Sequence, residues 1–362
     1  MGNEYDLAKY GANEYFYNEA LFYPGLQMAR VVLQHKELYK IAAVNGESFA
    51  EVSGKFRHEV KNISEYPVTG DFIMISHDNT QDGNAIIHNI LPRKTVFKRL
   101  SAGNNNQEQI IAANIDIIFV CVSLNSNYNL NRIERYLSAA WNSGARPIVI
   151  LTKSDLCNDL ENKINEVSSI APGVDVISTS RDNNTCEKII QHLKIGITAS
   201  FIGSSGVGKS TLINRLAGKE LLETQDIQHN DKGRHTTTRR ELILLPNGGI
   251  VIDTPGMREF GVESVDLSKT FFDIDELAAQ CKFGNCTHVS EPGCAVQKAL
   301  AYGGLGKRRF ENYQKLKKEA LYDGLSSKQI ETIKLEAMFK EIGGMKNMRN
   351  YIREKMKNKY KS

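Results

Sequence analysis

The sequence predicts an α/β protein whose central unit is a parallel sheet covered by helices on both faces. A small β-barrel precedes this unit and a cysteine-rich helical unit follows it. Three observations carry the prediction. Five short β-rich runs fill residues 27–92. From residue 110 onward, uniformly apolar runs alternate with helical stretches. A glycine-rich turn, Gly203 to Ser210, separates one of those runs from a helix.

Taken in order, the first unit contains MARVVLQ, LYKIAAV, SFAEVSGKF, DFIMISH and AIIHNIL, divided by turns such as Asn45-Gly46 and Asp82-Gly83-Asn84. Five short strands in so few residues suit an OB-type barrel. The polar stretch 101–109 (SAGNNNQEQ) reads as a linker. The apolar runs IDIIFVCVSL, RPIVILTK, VDVISTS, TASFIG, ELILLP and GGIVIDTPG then alternate with helical stretches at 131–143 and 209–217. Past Glu263 the sheet pattern ends. Two helices follow, with Phe310, Tyr313, Leu316 and Ala320 on one stripe and Ile330, Ile333 and Ala337 on another. The expected division is an extension (1–26), the barrel (27–100), the α/β unit (110–262), a metal-knuckle and helical unit (263–345) and a basic tail (346–362).

Composition narrows the classes. Hydrophobic content of 41% and charged content of 24% are ordinary for a soluble globular protein. No apolar run approaches the ~20 residues that cross a bilayer, so no membrane role is expected. The first residues lack the charged-then-apolar pattern of a secretion signal. The expected compartment is therefore the cytosol, where six cysteines serve as thiols or metal ligands rather than disulfides. Net charge is only +4, but Lys346, Arg349, Arg353, Lys355, Lys357, Lys359 and Lys361 face a single acid, Glu354, near the C-terminus. That pattern suits a solvated helix end or an arm neutralising nucleic-acid phosphates, and charge alone does not choose.

The chemistry begins with Gly203-Ser204-Ser205-Gly206-Val207-Gly208-Lys209-Ser210, a match to G-x-x-x-x-G-K-[ST] after a strand and before a helix that continues through Thr211. Its glycines let successive N–H groups curl around a phosphate, and the helix N-terminus adds a favourable dipole. Lys209 would bridge the β- and γ-phosphates and Ser210 would ligate Mg²⁺. Downstream, Asp253-Thr254-Pro255-Gly256 closes another strand. Asp253 is placed to hold Mg²⁺ through water, and the Gly256 N–H to meet the γ-phosphate.

The base is read elsewhere. Thr152-Lys153-Ser154-Asp155 ends an apolar strand and is similar to the N-K-x-D motif of GTPases. The Asp155 carboxylate can accept two hydrogen bonds from guanine, a pair that adenine does not offer. Lys153 would lay its stem on the ring. Thr152 replaces the usual Asn and has one donor to offer guanine N7. Ser178-Thr179, after the next strand, is similar to the remaining guanine-side loop. Both base elements precede the phosphate loop, so the order is that of a circularly permuted GTPase sheet, and the chain after Asp253 runs directly into the C-terminal unit.

Two further segments stand out. Residues 224–240 (TQDIQHNDKGRHTTTRR) are nearly devoid of apolar side chains, as expected of a switch loop. Thr237 is the candidate nucleotide contact there, and spacing leaves open which of Thr236, Thr237 and Thr238 reaches Mg²⁺. Cys281-x4-Cys286-x-His288-x5-Cys294 offers three thiols and an imidazole, a full tetrahedral set for one structural Zn²⁺. Cys121, Cys157 and Cys186 have no partner at ligand spacing.

The permuted order, Gly233-Arg234-His235-Thr236-Thr237-Thr238 and the cysteine spacing followed by Ala295-Val296 together resemble the ribosome small-subunit-dependent GTPase A family, RsgA/YjeQ. Gly54-Lys55-Phe56-Arg57, Tyr66-Pro67-Val68-Thr69-Gly70-Asp71 and Ala113-Asn114-Ile115-Asp116 carry the same resemblance, which runs from Gln27 to Leu321. It implies an OB barrel, a permuted GTPase and a zinc unit. The implied activity is GTP hydrolysis stimulated by the small ribosomal subunit during late maturation of that subunit, in the cytoplasm, by a monomer. It also implies rRNA contacts, which would employ Arg93, Lys94, Lys98, Arg99, Lys307, Arg308 and Arg309. Met257 occupies the position where many GTPases carry a water-orienting Gln, and the resemblance proposes His235 as the catalytic substitute. Two other readings compete: an RNA-binding module merely gated by GTP, and a P-loop kinase or ATPase, against which Thr152–Asp155 argues.

Overall fold

The structure, a computed structural model, describes residues 6–35, 37–76, 83–100, 108–180, 186–222, 240–253, 266–322 and 329–334. Five strands form the barrel: β1 (Gln27–His35), β2 (Leu38–Ala43), β3 (Gly46–Val52), β4 (Phe72–Ser76) and β5 (Ala85–Ile90). β1, β2 and β3 are antiparallel neighbours, β3 lies parallel to β5, and β4 pairs antiparallel with both β5 and β1. The circuit 1-2-3-5-4-1 closes a five-stranded barrel of OB type. Alternation drives it, with Ala29, Val31, Tyr39, Ile41, Ile73, Ile75 and Ile87 all pointing into one core.

Two sequence expectations change here. The third run ends at Val52, because the Ser53 hydroxyl accepts from Phe56 N–H and caps α2 at Gly54–Glu59 (the first helix, α1, spans Glu14–Ala20). The residues read as an outlying extension also belong to the barrel's packing. Phe16 stacks on Phe72 with ring centroids 4.0 Å apart, and Leu7, Ala12 and Phe16 share a core with Met28, Met74 and Leu91.

β6 (Val96–Leu100) and β7 (Glu108–Ala113) pair antiparallel, so the end of the expected linker is strand. The central unit then runs β8 (Ile117–Ser123), α3 (Leu130–Asn142), β9 (Arg146–Thr152), α4 (Leu160–Ile170), β10 (Asp175–Ser178), α5 (Cys186–Ile190), β11 (Thr198–Ile202), α6 (Lys209–Ala217), β12 (Glu241–Leu244) and β13 (Ile250–Asp253). Strands lie in the order β10-β9-β8-β11-β13 and are parallel. β8 shows why both faces are covered. Ile118, Val120 and Val122 meet Ile133 and Leu137 of α3 on one side, whereas Ile117, Phe119 and Cys121 meet Leu212 and Ile213 of α6 on the other.

The sheet is not wholly parallel, as the sequence reading expected. β12 is antiparallel to β13, because the tight turn Pro246-Asn247-Gly248-Gly249, closed by Leu245 N–H to Gly249 C=O at 2.8 Å, can only join antiparallel strands. β12 then pairs with β1 of the barrel, Leu33 opposite Glu241, so that eleven of the described strands form one continuous sheet. Arg30 reinforces this joint from within. Only 1% exposed, its guanidinium donates to the carbonyls of Tyr10, Gly70 and Asn114 and to the hydroxyl of Thr198, the first residue of β11.

The C-terminal unit contains α7 (Phe272–Ala279), α8 (Ala295–Ala301) and α9 (Lys307–Ala320). Phe310, Tyr313 and Leu316 of the predicted stripe bury against Leu267, Phe271, Ile274 and Val296. Of the second expected helix only residues 329–334 are described, and they are helical. No helix among the described residues is long and apolar enough to cross a membrane.

Candidate functional site

The site lies where β9, β10, β11 and β13 deliver their C-terminal ends to the same side of the sheet, the position at which open α/β sheets bind ligands. Gly203 leaves β11 at φ +143°, and a side chain there would put its Cβ 2.3 Å from the carbonyl oxygen of Cys121 on β8. Only glycine lets the loop turn this close to the neighbouring strand. Gly208, at φ +101°, then caps α6 in the left-handed conformation. Lys209 folds back over the loop and donates to the carbonyls of Gly203 and Ser204, both at 2.7 Å. Its ammonium and the N-terminus of α6 together favour an anion.

The turn 152–155, expected to read the base, is joined directly to this loop. Thr152, 4% exposed at the end of β9, donates its hydroxyl to the carbonyl of Val207 at 2.6 Å. Its one donor is thus engaged by the loop rather than pointed at guanine N7. Lys153 adopts φ +57° and stretches its ammonium to the carbonyl of Gly206 at 2.9 Å. Left-handed backbone at a non-glycine residue is costly and concentrates at functional sites. Ser154 and Asp155 begin a 3-10 turn at Ser154–Leu156 that leaves Asp155 exposed. Ser178 and Thr179 follow β10: Thr179 N–H donates to Leu151 C=O at 2.8 Å, and Ser154 N–H donates to Thr179 C=O at 3.0 Å. Folding therefore gathers 152–155, 178–179 and 203–210 into one site.

For the metal side, Ser210 and exposed Thr211 lie in the first turn of α6. Asp253 ends β13, which runs parallel beside β11 in the register Ser200 opposite Ile252. Asp253 thus leaves the sheet beside the strand that feeds the loop. His235, Thr236, Thr237, Thr238, Gly256 and Met257 lie outside the described residues. Motif reading missed Arg132 and Tyr136 of α3. Arg132 donates to the Ser204 hydroxyl at 2.9 Å, and the Tyr136 hydroxyl lies 3.4 Å from the same atom. No local signal marks them, since the partners are 72 and 68 residues apart.

A second centre sits in the C-terminal unit. The ligand atoms of Cys281, Cys286, His288 and Cys294 all lie within 4.8 Å of one another, and together they could hold a metal ion. The sulfurs of Cys281 and Cys294 are 3.8 Å apart, and His288 Nδ1 lies 3.6 Å and 3.5 Å from them. Zinc–sulfur bonds of about 2.3 Å in a tetrahedron place sulfurs about 3.8 Å apart, so the donor set fits that ion. His288 reaches the cluster through a left-handed turn at φ +61°, and its carbonyl accepts from the Gln297 amide. Cys121 stands apart from the cluster, and burial pushes its thiol up to about 12.

The basic residues expected to face rRNA divide sharply. Arg93 makes two 2.8 Å bonds to the fully buried carboxylate of Asp71. Arg308 and Arg309 both grip Glu134 of α3, at 3.0 Å and 2.8 Å, and Arg309 also pairs with Asp273 at 2.6 Å. Arg93 and Arg309 thus hold the fold together and do not face solvent, which corrects that expectation for these two, whereas the ion-paired Arg308 keeps 39% of its side chain exposed. Lys94 lies over the ring of Tyr15, and Lys307 remains exposed. The side chain of Arg99 lies outside what is described.

A phosphate loop preceded in sequence by its base-reading turn, on one sheet with a carboxylate-ended β13, defines a circularly permuted P-loop GTPase, an enzyme that hydrolyses GTP. The family described as RsgA GTPase matches residues 90–263. The small ribosomal subunit biogenesis GTPase RsgA 2 of Lactiplantibacillus plantarum is 44% identical over 346 residues, covering 95% of this chain and 97% of that protein. RsgA 1 of Listeria innocua is 42% identical over 320 residues, covering 87% and 90%. Among solved structures, YjeQ from Thermotoga maritima aligns with a TM-score of 0.60 and 27% identity over 82% of this chain and 99% of that one. YloQ, a circularly permuted GTPase, aligns with a TM-score of 0.59 over 81% and 94%; at 24% identity it speaks for the fold alone. The chain belongs to the RsgA family.

Proposed function

We propose that this protein is a late maturation factor of the small ribosomal subunit, whose GTP hydrolysis that subunit stimulates. The observation that carries the reading is similarity along nearly the whole chain, at 44% identity, to a protein named for small ribosomal subunit biogenesis. It works in the cytoplasm as a monomer and binds rRNA through the barrel and the C-terminal unit, with exposed Lys94, Lys98 and Lys307 among the contacts.

In this reading Asp155 selects guanine, with Ser178 and Thr179 supporting the turn from behind. The loop 203–210 cradles the phosphates and Lys209 neutralises their charge. Ser210 and Asp253 would hold Mg²⁺, which would supply charge neutralisation for the phosphates. The Cys281, Cys286, His288 and Cys294 set would hold one structural Zn²⁺ that fixes the shape of the C-terminal surface. Thr237 contacts the nucleotide, and His235 orients the attacking water as a neutral imidazole.

The test is GTP turnover by the purified protein, alone and with stoichiometric small subunits, at two salt concentrations. Stimulation that weakens with salt is expected, within the ~10³–10⁵-fold range known for partner-activated GTPases. His235→Ala should abolish that stimulation. Bound GTP with no stimulation would remove the ribosomal partner, and full stimulation of His235→Ala would remove the catalytic role of His235; a His235→Ala protein that loses stimulated turnover yet still supports subunit maturation would favour a GTP-gated binding module instead.

A further inference from the structure

α3 touches two parts of the molecule with two different faces. Its N-terminus is fixed by Asn129, whose side chain accepts from Arg132 N–H at 3.1 Å. One turn apart, Arg132 and Tyr136 project together toward the phosphate loop and converge on the hydroxyl of Ser204. The carbonyl of that same Ser204 receives the ammonium of Lys209 at 2.7 Å. A continuous chain thus runs from the guanidinium of Arg132 through Ser204 to the lysine that meets the phosphates.

The other face belongs to the C-terminal unit. Fully buried Glu134 accepts from Arg308, Arg309 and Asn312, and Ser138 donates to Thr270 at 3.0 Å. With Ile133, Leu137 and Ala140 in the sheet core, the helix is held on three sides. The loop itself has fewer supports. Gly203 rests on Cys121, Gly206 accepts from the Lys153 ammonium and Val207 is held by Thr152, whereas the support that reaches the Ser204 hydroxyl comes from Arg132 and Tyr136 of α3.

We propose that Arg132 is a positioning residue for GTP hydrolysis: it clamps Ser204 from outside the loop and so sets the carbonyls that seat Lys209. It touches no reacting atom, and its effect passes through Ser204. A planar, multi-donor guanidinium on a rigid helix suits this task, and one or two bonds to a serine hydroxyl are of the right strength to steer a loop without freezing it.

The experiment measures kcat, KM and thermal melting for the free full-length protein and for Arg132→Ala, Arg132→Lys, Ser204→Ala and the double variant Arg132→Ala/Ser204→Ala. No ribosomal subunit is added, so the result is independent of the partner proposed above. Each alanine variant should lose about three- to tenfold in kcat, the worth of one such hydrogen bond, with KM shifted by less. The double variant should be no slower than the slower single one, because both cut the same chain. Arg132→Lys should recover most of the rate, and melting should stay unchanged at this exposed position. An unchanged kcat in Arg132→Ala overturns the proposal, as do multiplicative losses in the double variant or a loss of rate that tracks a loss of melting temperature.

Discussion

The hydroxyl of Thr152 donates to the carbonyl of Val207 at 2.6 Å, and this bond joins the base-reading turn to the phosphate loop across 55 residues of sequence. In an ordinary N-K-x-D motif an amide offers two donors, whereas the Thr152 hydroxyl has one and gives it to the loop. Thr152→Val should therefore loosen the loop and weaken GDP binding by about fivefold, near 1 kcal/mol for one buried hydrogen bond. Titration with a fluorescent GDP analogue reads the change, and an unaltered affinity would show that the bond does not support the site.

Gly203 makes the opposite kind of contact, one defined by the lack of a side chain. Gly203→Ala places a methyl 2.3 Å from the Cys121 carbonyl at a φ that L residues rarely adopt. The strand and the loop cannot both keep their places, so a cost of at least about 2 kcal/mol is expected. Urea unfolding and nucleotide binding should both suffer; a variant with normal values in both would contradict the close approach.

Glu134 is the hub between α3 and α9. Its removal leaves Arg309, 8% exposed at the side chain, with a single carboxylate partner in Asp273. Breaking a buried ion pair by deleting one member typically costs about 3–5 kcal/mol. Glu134→Ala should accordingly lower the urea midpoint by an amount no exposed pair such as Lys55–Glu59 approaches, and equal effects at the two sites would refute the hub.

The cysteine and histidine cluster makes a separable prediction. Purified protein should carry one zinc per chain by elemental mass spectrometry, and Cys294→Ser should lose it. Hydrogen exchange should then rise in α7, α8 and α9 while the nucleotide loop remains protected, because the cluster packs into the C-terminal core through Phe310. Retained zinc, or exchange unchanged throughout, would mean the four side chains do not form a structural centre.

Much of this architecture was legible before folding. The phosphate loop, the turn 152–155 and the cysteine spacing are runs of neighbours whose chemistry depends on short-range backbone geometry, and the structure gathers the described parts of the first two into one site. The five barrel strands were visible as alternating runs for the same local reason. The third run misled at Gly54-Lys55-Phe56, since a serine cap outweighed an apolar residue.

What the sequence determined by itself was therefore the inventory: a barrel, a permuted nucleotide sheet and a metal-type cluster, each written in residues close together in the chain. Only the tertiary structure decided how the pieces are joined. Arg93 and Arg309 read as solvent-facing cations until Asp71 and Glu134 meet them, in the case of Arg309 from 175 residues away. Arg30 and Thr198, 168 residues apart, lock the barrel to the phosphate-loop strand in the same manner. Local patterns follow from sterics and hydrophobic period, which neighbours set. The partner of a buried charge follows from which surfaces pack together, and no spacing along the chain encodes that.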